Sequence, residues 1–108
     1  MGFKVAKRIF ISAIAADEVQ HEHRSAWGKN WLADKQISNE EAASIVFHAR
    51  GQDTPPPTPH HFLPDVEVWV FKPLYKNERW YVKGYWIEDE LHLVELFLIS
   101  FHPSETSS

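Results

Sequence analysis

Between residues 66 and 102 the chain carries three runs with the two-residue period of a β-strand, and a sheet is the structure that accommodates all three. Residues 66–72 (VEVWVFK) alternate and are rich in Val and aromatics. Residues 79–87 (RWYVKGYWI) alternate more strictly, and residues 91–102 (LHLVELFLISFH) are apolar on both faces for most of their length. Two short polar breaks separate them, 73–78 and the acidic Glu88-Asp89-Glu90, so the runs read as an antiparallel meander. The third run has little polar surface before Ser100 and His102, which makes it the expected central strand, paired on both edges.

Side chains alternate along a strand, so Trp80, Val82, Gly84 and Trp86 share one face of the second run and Tyr81, Lys83 and Tyr85 the other. The first set suits a core. The second joins a cation to two phenols, which a core disfavours because a buried unpaired charge is costly. Ser100 and His102 share a face at the end of the third run. If that face is also the Tyr81/Lys83 face, a phenol, an ammonium, a hydroxyl and an imidazole converge on one patch of sheet. The alternative for the same residues is a solvated sheet face with scattered polar groups.

Upstream, the spacing predicts helices over 3–16, 18–33 and 39–50. In the first, Phe3, Ala6, Phe10 and Ala13 recur at three- and four-residue steps. In the second, Trp27 and Trp31 stand at i,i+4 with Val19 and Leu32 beside them, although Gly28 interrupts the pattern. The third has Ser38 as N-cap, Glu41 completing a capping box, an apolar stripe of Ala42, Ile45, Val46 and Ala49, and Gly51 placed for a left-handed C-terminal cap. Residues 52–65 contain Pro55, Pro56, Pro57, Pro59 and Pro64 and read as an extended loop. That loop carries His60 and His61, with Phe62 and Leu63 available to anchor it on the sheet. Residues 103–108 form a frayed Ser/Thr-rich tail. The expected architecture is one α+β domain over residues 1–108, with N-terminal helices packed on one face of a C-terminal β-meander and the other face open.

Composition narrows the function. With 108 residues, 44% hydrophobic and 14% aromatic, the chain can bury one modest core. It has no cysteine, which fits a reducing compartment. A net charge of −4 argues against a bulk polyanion binder but leaves room for a local basic site. No run is long enough to cross a bilayer, and the apolar stretch before Ala13-Ile14-Ala15 is short of the roughly 7–15 residues of a signal peptide. A cytoplasmic protein without membrane contact is therefore expected. Seven histidines invite a metal reading. However, His21 and His23 diverge on a helix and no zinc-ligand spacing is present. Gly-rich phosphate loops and nucleotide fingerprints are lacking too, so neither a metal nor a small-molecule cofactor is expected.

His60, His61 and His102 differ from the other histidines in lying near the open face. Imidazoles titrate near neutrality and suit acid–base work. Two imidazoles and a lysine suffice for metal-free cleavage of RNA. One group removes the ribose 2′-OH proton, one protonates the leaving 5′-oxygen, and a cation stabilises the charge that builds on phosphate.

Three short motifs carry a family resemblance. Phe71-Lys72-Pro73, Tyr81-Val82-Lys83 and Ser100-Phe101-His102 follow one another at spacings similar to those of the MqsR-type endoribonuclease toxins. Those toxins belong with the RelE and YoeB-like toxins in a broad RNase superfold. Arg24-Ser25-Ala26, followed by the helix over 39–50, is a weaker upstream match. The resemblance implies a RelE/MqsR-like two-layer sandwich, with Tyr81 and the last residue of Ser-Phe-His acting at the site. His102 stands where the family has lysine. His60 and His61 lie near the place of a second family lysine, and Val68 near that of a family glutamine.

Residues and resemblance together lead to a metal-independent endoribonuclease (mRNA interferase) toxin of a toxin–antitoxin system, with RNA as substrate and a cognate antitoxin as partner. His60, His61, Tyr81, Lys83 and His102 are the expected catalytic set, with His60 or His61 as base and His102 as acid. Lys72 and Ser100 are expected to contact substrate, and Trp69 or Tyr85 to stack an unpaired base. The other reading is a non-enzymatic protein-binding module of the inhibitor or immunity type, using exposed aromatics and acidic charge. The enzyme needs imidazoles and Lys83 together on one open face, whereas the binder needs only a flat aromatic-acidic patch.

Overall fold

The computed structural model describes residues 2–22 and 30–104. Among the described residues, helices α1 (Phe3–Ala15) and α2 (Asn39–Phe47) accompany a six-stranded mixed sheet, an α+β fold. The strands are β1 (Val19–His21), β2 (Thr58–Pro59), β3 (Glu67–Phe71), β4 (Leu74–Tyr75), β5 (Glu78–Glu88) and β6 (Val94–Pro103). They run in the order β1-β6-β5-β3-β2, with β4 folded onto the start of β5. The expected meander is present: β3, β5 and β6 are successive antiparallel neighbours. As expected, β6 is paired on both edges, although its second partner, β1, is parallel.

α1 buries Ala6, Phe10 and Ile14, a stripe at four-residue spacing along one face. It ends in a Schellman motif. Asp17 takes a left-handed conformation at φ 57°. Its N–H donates to the Ile14 carbonyl at 3.1 Å, and Glu18 N–H donates to the Ala13 carbonyl at 2.9 Å. The Asn39 amide then donates to the Ile14 carbonyl at 3.0 Å, which ties the end of α1 to the start of α2.

The helix expected over 18–33 is absent where the chain is described. Val19–His21 is a strand, in register with Leu96–Leu98 of β6. Residues 31–35 form turns, closed by Gln36 N–H on the Trp31 carbonyl at 2.8 Å. The physical reason is the unpaired edge of β6. An apolar strand needs hydrogen-bond partners on that edge, and the backbone leaving the Asp17 turn supplies them. Arg24-Ser25-Ala26, Trp27 and His23 lie outside the described residues.

Two further boundaries differ from expectation. The break at 73–78 is a hairpin: Tyr75 pairs with Glu78, and Lys76 and Asn77 both have positive φ (51° and 65°), as a type I′ turn requires. Residues 91–93 belong to a turn rather than to β6. There the Asp89 carboxylate accepts the N–H groups of Leu91 and Leu93 at 2.8 and 2.9 Å. α2 starts as expected, with Ser38 Oγ accepting Glu41 N–H at 3.0 Å, but it stops at Phe47. The His48 ring there bonds to the Ser44 carbonyl, and Gly51 has no left-handed conformation.

The core lies between the helices and one sheet face. Phe10, Ile14, Ile45 and Val46 meet Phe71, Val82, Leu96, Leu98 and Phe101, all fully buried. β6 reaches this arrangement only through an irregularity. Gly84 pairs with Leu98 and Lys83 with Ser100, so Ile99 is an extra residue in β6, a β-bulge. Strict alternation would put Ser100 and His102 on the same face as Leu96 and Leu98. The bulge exchanges the faces, so Phe101 enters the core while Ser100 and His102 turn to the opposite side.

Gly84 is required opposite this bulge. A Cβ there would lie 2.6 Å from the Phe97 carbonyl oxygen, 3.1 Å from Leu98 Cδ2 and 3.2 Å from Phe10 Cε2. Backbone cannot yield cheaply inside a ladder. Gly84→Ala should therefore destabilise the fold by about 1–3 kcal/mol, read as a lower urea midpoint at unchanged slope. An unchanged midpoint would reject the close approach.

Candidate functional site

The sheet face away from the helices carries a cavity of about 310 Å³. Its floor is Val68 from β3, Tyr81 and Lys83 from β5, and Ile99, Ser100 and His102 from β6. Its wall is Thr58, Pro59, His60 and His61. All five residues expected to be catalytic, and Ser100, thus line one cavity.

Strand register places the floor. Tyr81 is the cross-strand partner of His102, and Lys83 that of Ser100, so all four project to the same side. The Tyr81 and His102 rings stack with centroids 5.4 Å apart. The wall comes from the Pro-rich segment, which is an edge strand as well as a loop. Thr58 pairs with Val68 and Pro59 with Glu67, and proline is tolerated there because an edge strand can spare its donor.

Hydrogen bonds set the tautomers of two imidazoles. His102 Nδ1 lies 2.7 Å from the Pro103 carbonyl, an acceptor only, so Nδ1 carries a proton. In the neutral ring Nε2 then holds the lone pair. His60 is the reverse. The N–H groups of Phe62 and Leu63 donate to its Nδ1 at 3.1 and 3.3 Å, so the neutral ring carries its proton on Nε2. Neutral His60 is thus a hydrogen-bond donor through Nε2, and neutral His102 a proton acceptor through Nε2. His61 lines the same wall and is exposed.

The lining contains Lys83 and three histidines and no Asp or Glu. Lys83 is half-buried and forms no ion pair among the described residues. Ser100 is only 5% exposed. An acidic chain therefore presents a cavity of hydrogen-bond donors around one lysine cation, suited to an anion such as a phosphate group. Among the described residues no three of His, Asp and Glu group as metal ligands.

Three expected contacts lie elsewhere. Trp69 is 3% exposed and faces the core, where it is the cross-strand partner of Gly84. Tyr85 is on the cavity side but 5% exposed. Its ring stacks on Phe97 at 5.1 Å and meets the His60 ring at 4.6 Å, and its hydroxyl donates to the Glu22 carboxylate. Neither aromatic has a face left for a base. Lys72 is exposed beyond the cavity, with its carbonyl accepting from Arg79 at 2.7 Å. Tyr85 instead joins the histidine wall to the floor and to the segment after β1. The signal for that role was its place beside Lys83 on the alternating face.

No helix among the described residues is long and apolar enough to cross a membrane. No protein-family model matches the chain, and no curated protein or solved structure matches it.

Proposed function

We propose that the chain is a metal-independent endoribonuclease, the toxin of a toxin–antitoxin pair, with the cavity over β5 and β6 as its active site. The observation that carries this reading is the convergence of His102, Lys83, Tyr81 and the two loop histidines around one carboxylate-free cavity. The hydrogen bonds favour the reverse of the roles assigned to the imidazoles on sequence grounds. His102 Nε2, with Nδ1 held on Pro103, takes the proton from a ribose 2′-hydroxyl. The 2′-oxygen bonds to phosphorus and the P–O5′ bond breaks. The leaving 5′-oxygen takes a proton from the His61 imidazolium, giving a 2′,3′-cyclic phosphate and a 5′-hydroxyl. Lys83, the Tyr81 hydroxyl and His60 Nε2–H donate to the phosphate oxygens as charge builds on them. His60 cannot be the base while its Nδ1 accepts two backbone donors. A RelE/MqsR-like sandwich, with α1 and α2 over one sheet face, belongs to the same proposal.

The test is incubation of the purified chain with single-stranded RNA in the presence of EDTA. Fragments ending in 2′,3′-cyclic phosphate are expected, and Lys83→Ala should lower the rate about 10²–10³-fold. Intact RNA, or cleavage that EDTA abolishes, would overturn the proposal.

One feature favours the second reading, a non-enzymatic protein-binding module. Leu91, Leu93 and Val94 are 77%, 62% and 44% exposed beside the acidic turn. An apolar cluster rimmed by charge is a form that protein interfaces take. That reading requires no RNA cleavage by the chain at any pH.

A further inference from the structure

We propose that Phe62 is the platform on which one unpaired base of single-stranded RNA stacks while the neighbouring phosphate occupies the Lys83 cavity. The proposal rests on the ribonuclease reading and adds the residue that receives the base. Phe62 is 78% exposed, the most exposed large apolar side chain described, and Leu63 beside it is 41% exposed. Such exposure in a slack loop would carry little meaning, but this loop is tied at its base and its tip. His60 N–H donates to the Val66 carbonyl at 2.9 Å, and Val66 N–H donates to the Leu63 carbonyl at 2.8 Å. The His60 ring then accepts the N–H groups of Phe62 and Leu63 themselves. The imidazole that lines the cavity thus also fixes the backbone that projects Phe62.

The geometry joins the two halves of a nucleotide site. His60 contributes to the cavity wall, and its ring centroid lies 6.2 Å from that of Phe62. A phosphate at Lys83 and a base at Phe62 would therefore have His60 between them. Stacking suits this position because every base has a π-face, so it adds affinity without demanding sequence. A fixed ring also loses little conformational entropy on binding. Charge complementarity favours RNA over an acidic partner's apolar side chain, since the cavity at the foot of the ring holds Lys83 and hydrogen-bond donors without a carboxylate.

The experiment uses the full chain and a short labelled 2′-O-methyl oligonucleotide of mixed sequence, which lacks the attacking hydroxyl. Fluorescence anisotropy should show Phe62→Ala binding roughly tenfold or more weakly, with Phe62→Trp retaining affinity. Oligonucleotides abasic at each position in turn should lose affinity at one position in the native chain and lose none further there in Phe62→Ala. Equal affinity of native chain and Phe62→Ala overturns the proposal, as does failure of the native chain to bind. Loss of a bound protein partner with RNA affinity unchanged overturns it too. If binding depends on Phe62 but unmodified RNA stays intact, the platform stands and the cleavage reading falls. If Phe62→Ala binds and cuts like the native chain, the platform falls alone.

Discussion

His102→Ala should lower RNA cleavage by about 10²–10⁴-fold while leaving the fold in place. The size follows from removing the proton acceptor, and the intact fold follows from its position. His102 is half-buried at the end of β6, outside the core, and its side chain touches the Tyr81 ring and the Pro103 carbonyl. Losing those contacts costs little beside the buried apolar layer on the other face. The measurement pairs single-turnover cleavage with circular dichroism and a urea midpoint. A His102→Ala variant that cuts at the native rate would remove this imidazole from the mechanism, and His60→Ala acting like His102→Ala would return the base to the loop.

The largest effect on stability should come from Phe10→Ala, at about 3–5 kcal/mol. Phe10 is fully buried, meets the Phe71 ring edge-on with centroids 4.8 Å apart, and covers Gly84. It is the side chain by which α1 reaches the sheet at the point where β5 has none of its own. The cavity left by alanine would be walled by β5 backbone on one side and by aromatic rings on the other, neither of which collapses easily. Small domains hold only about 5–15 kcal/mol in total, so the variant should be close to unfolding. Phe10→Leu should lose much less, since a volume near the original remains. Urea titration of the two variants checks this. A loss below about 1 kcal/mol for Phe10→Ala would show that the site relaxes and that Phe10 is not the contact it is taken to be. Because the candidate site is on the far face, the folded fraction of Phe10→Leu should cut RNA at the native rate.

The meander and the first and last helices were legible because their signals are local. Two-residue alternation and the Ser38 cap depend on neighbours in sequence. β1 was not legible, because three residues carry no periodicity and what makes them a strand is the open edge of β6, far along the chain. The site was legible in its residue types. Tyr81 and Lys83 sit on the polar side of β5, and Ser100 and His102 end an otherwise apolar run. The difference in tautomer between His60 and His102 was not legible, since it depends on which backbone groups meet each Nδ1. The same holds for Trp69 and Tyr85. A strand aromatic suits a stacking platform or a core equally, and only register against Gly84 and contact with Phe97 and His60 decide between them.

The extra residue at Ile99 ties the constellation to strand pairing rather than to chemistry. Any side chain that fits position 99 keeps Ser100 and His102 facing the cavity, because what turns them there is that position 99 stands outside the ladder between Leu98 and Ser100. Deletion of Ile99 would leave Ser100 next to Leu98, and plain alternation would then keep Ser100 and His102 on the cavity side and Phe101 in the core. The faces would be exchanged only if Ile99 were absorbed into the ladder as a paired residue, which would set an imidazole among the aliphatic and aromatic side chains beneath α1 and lift Phe101 out toward water. A gap at this position is thus compatible with the same constellation, whereas closure of the bulge at unchanged length is not.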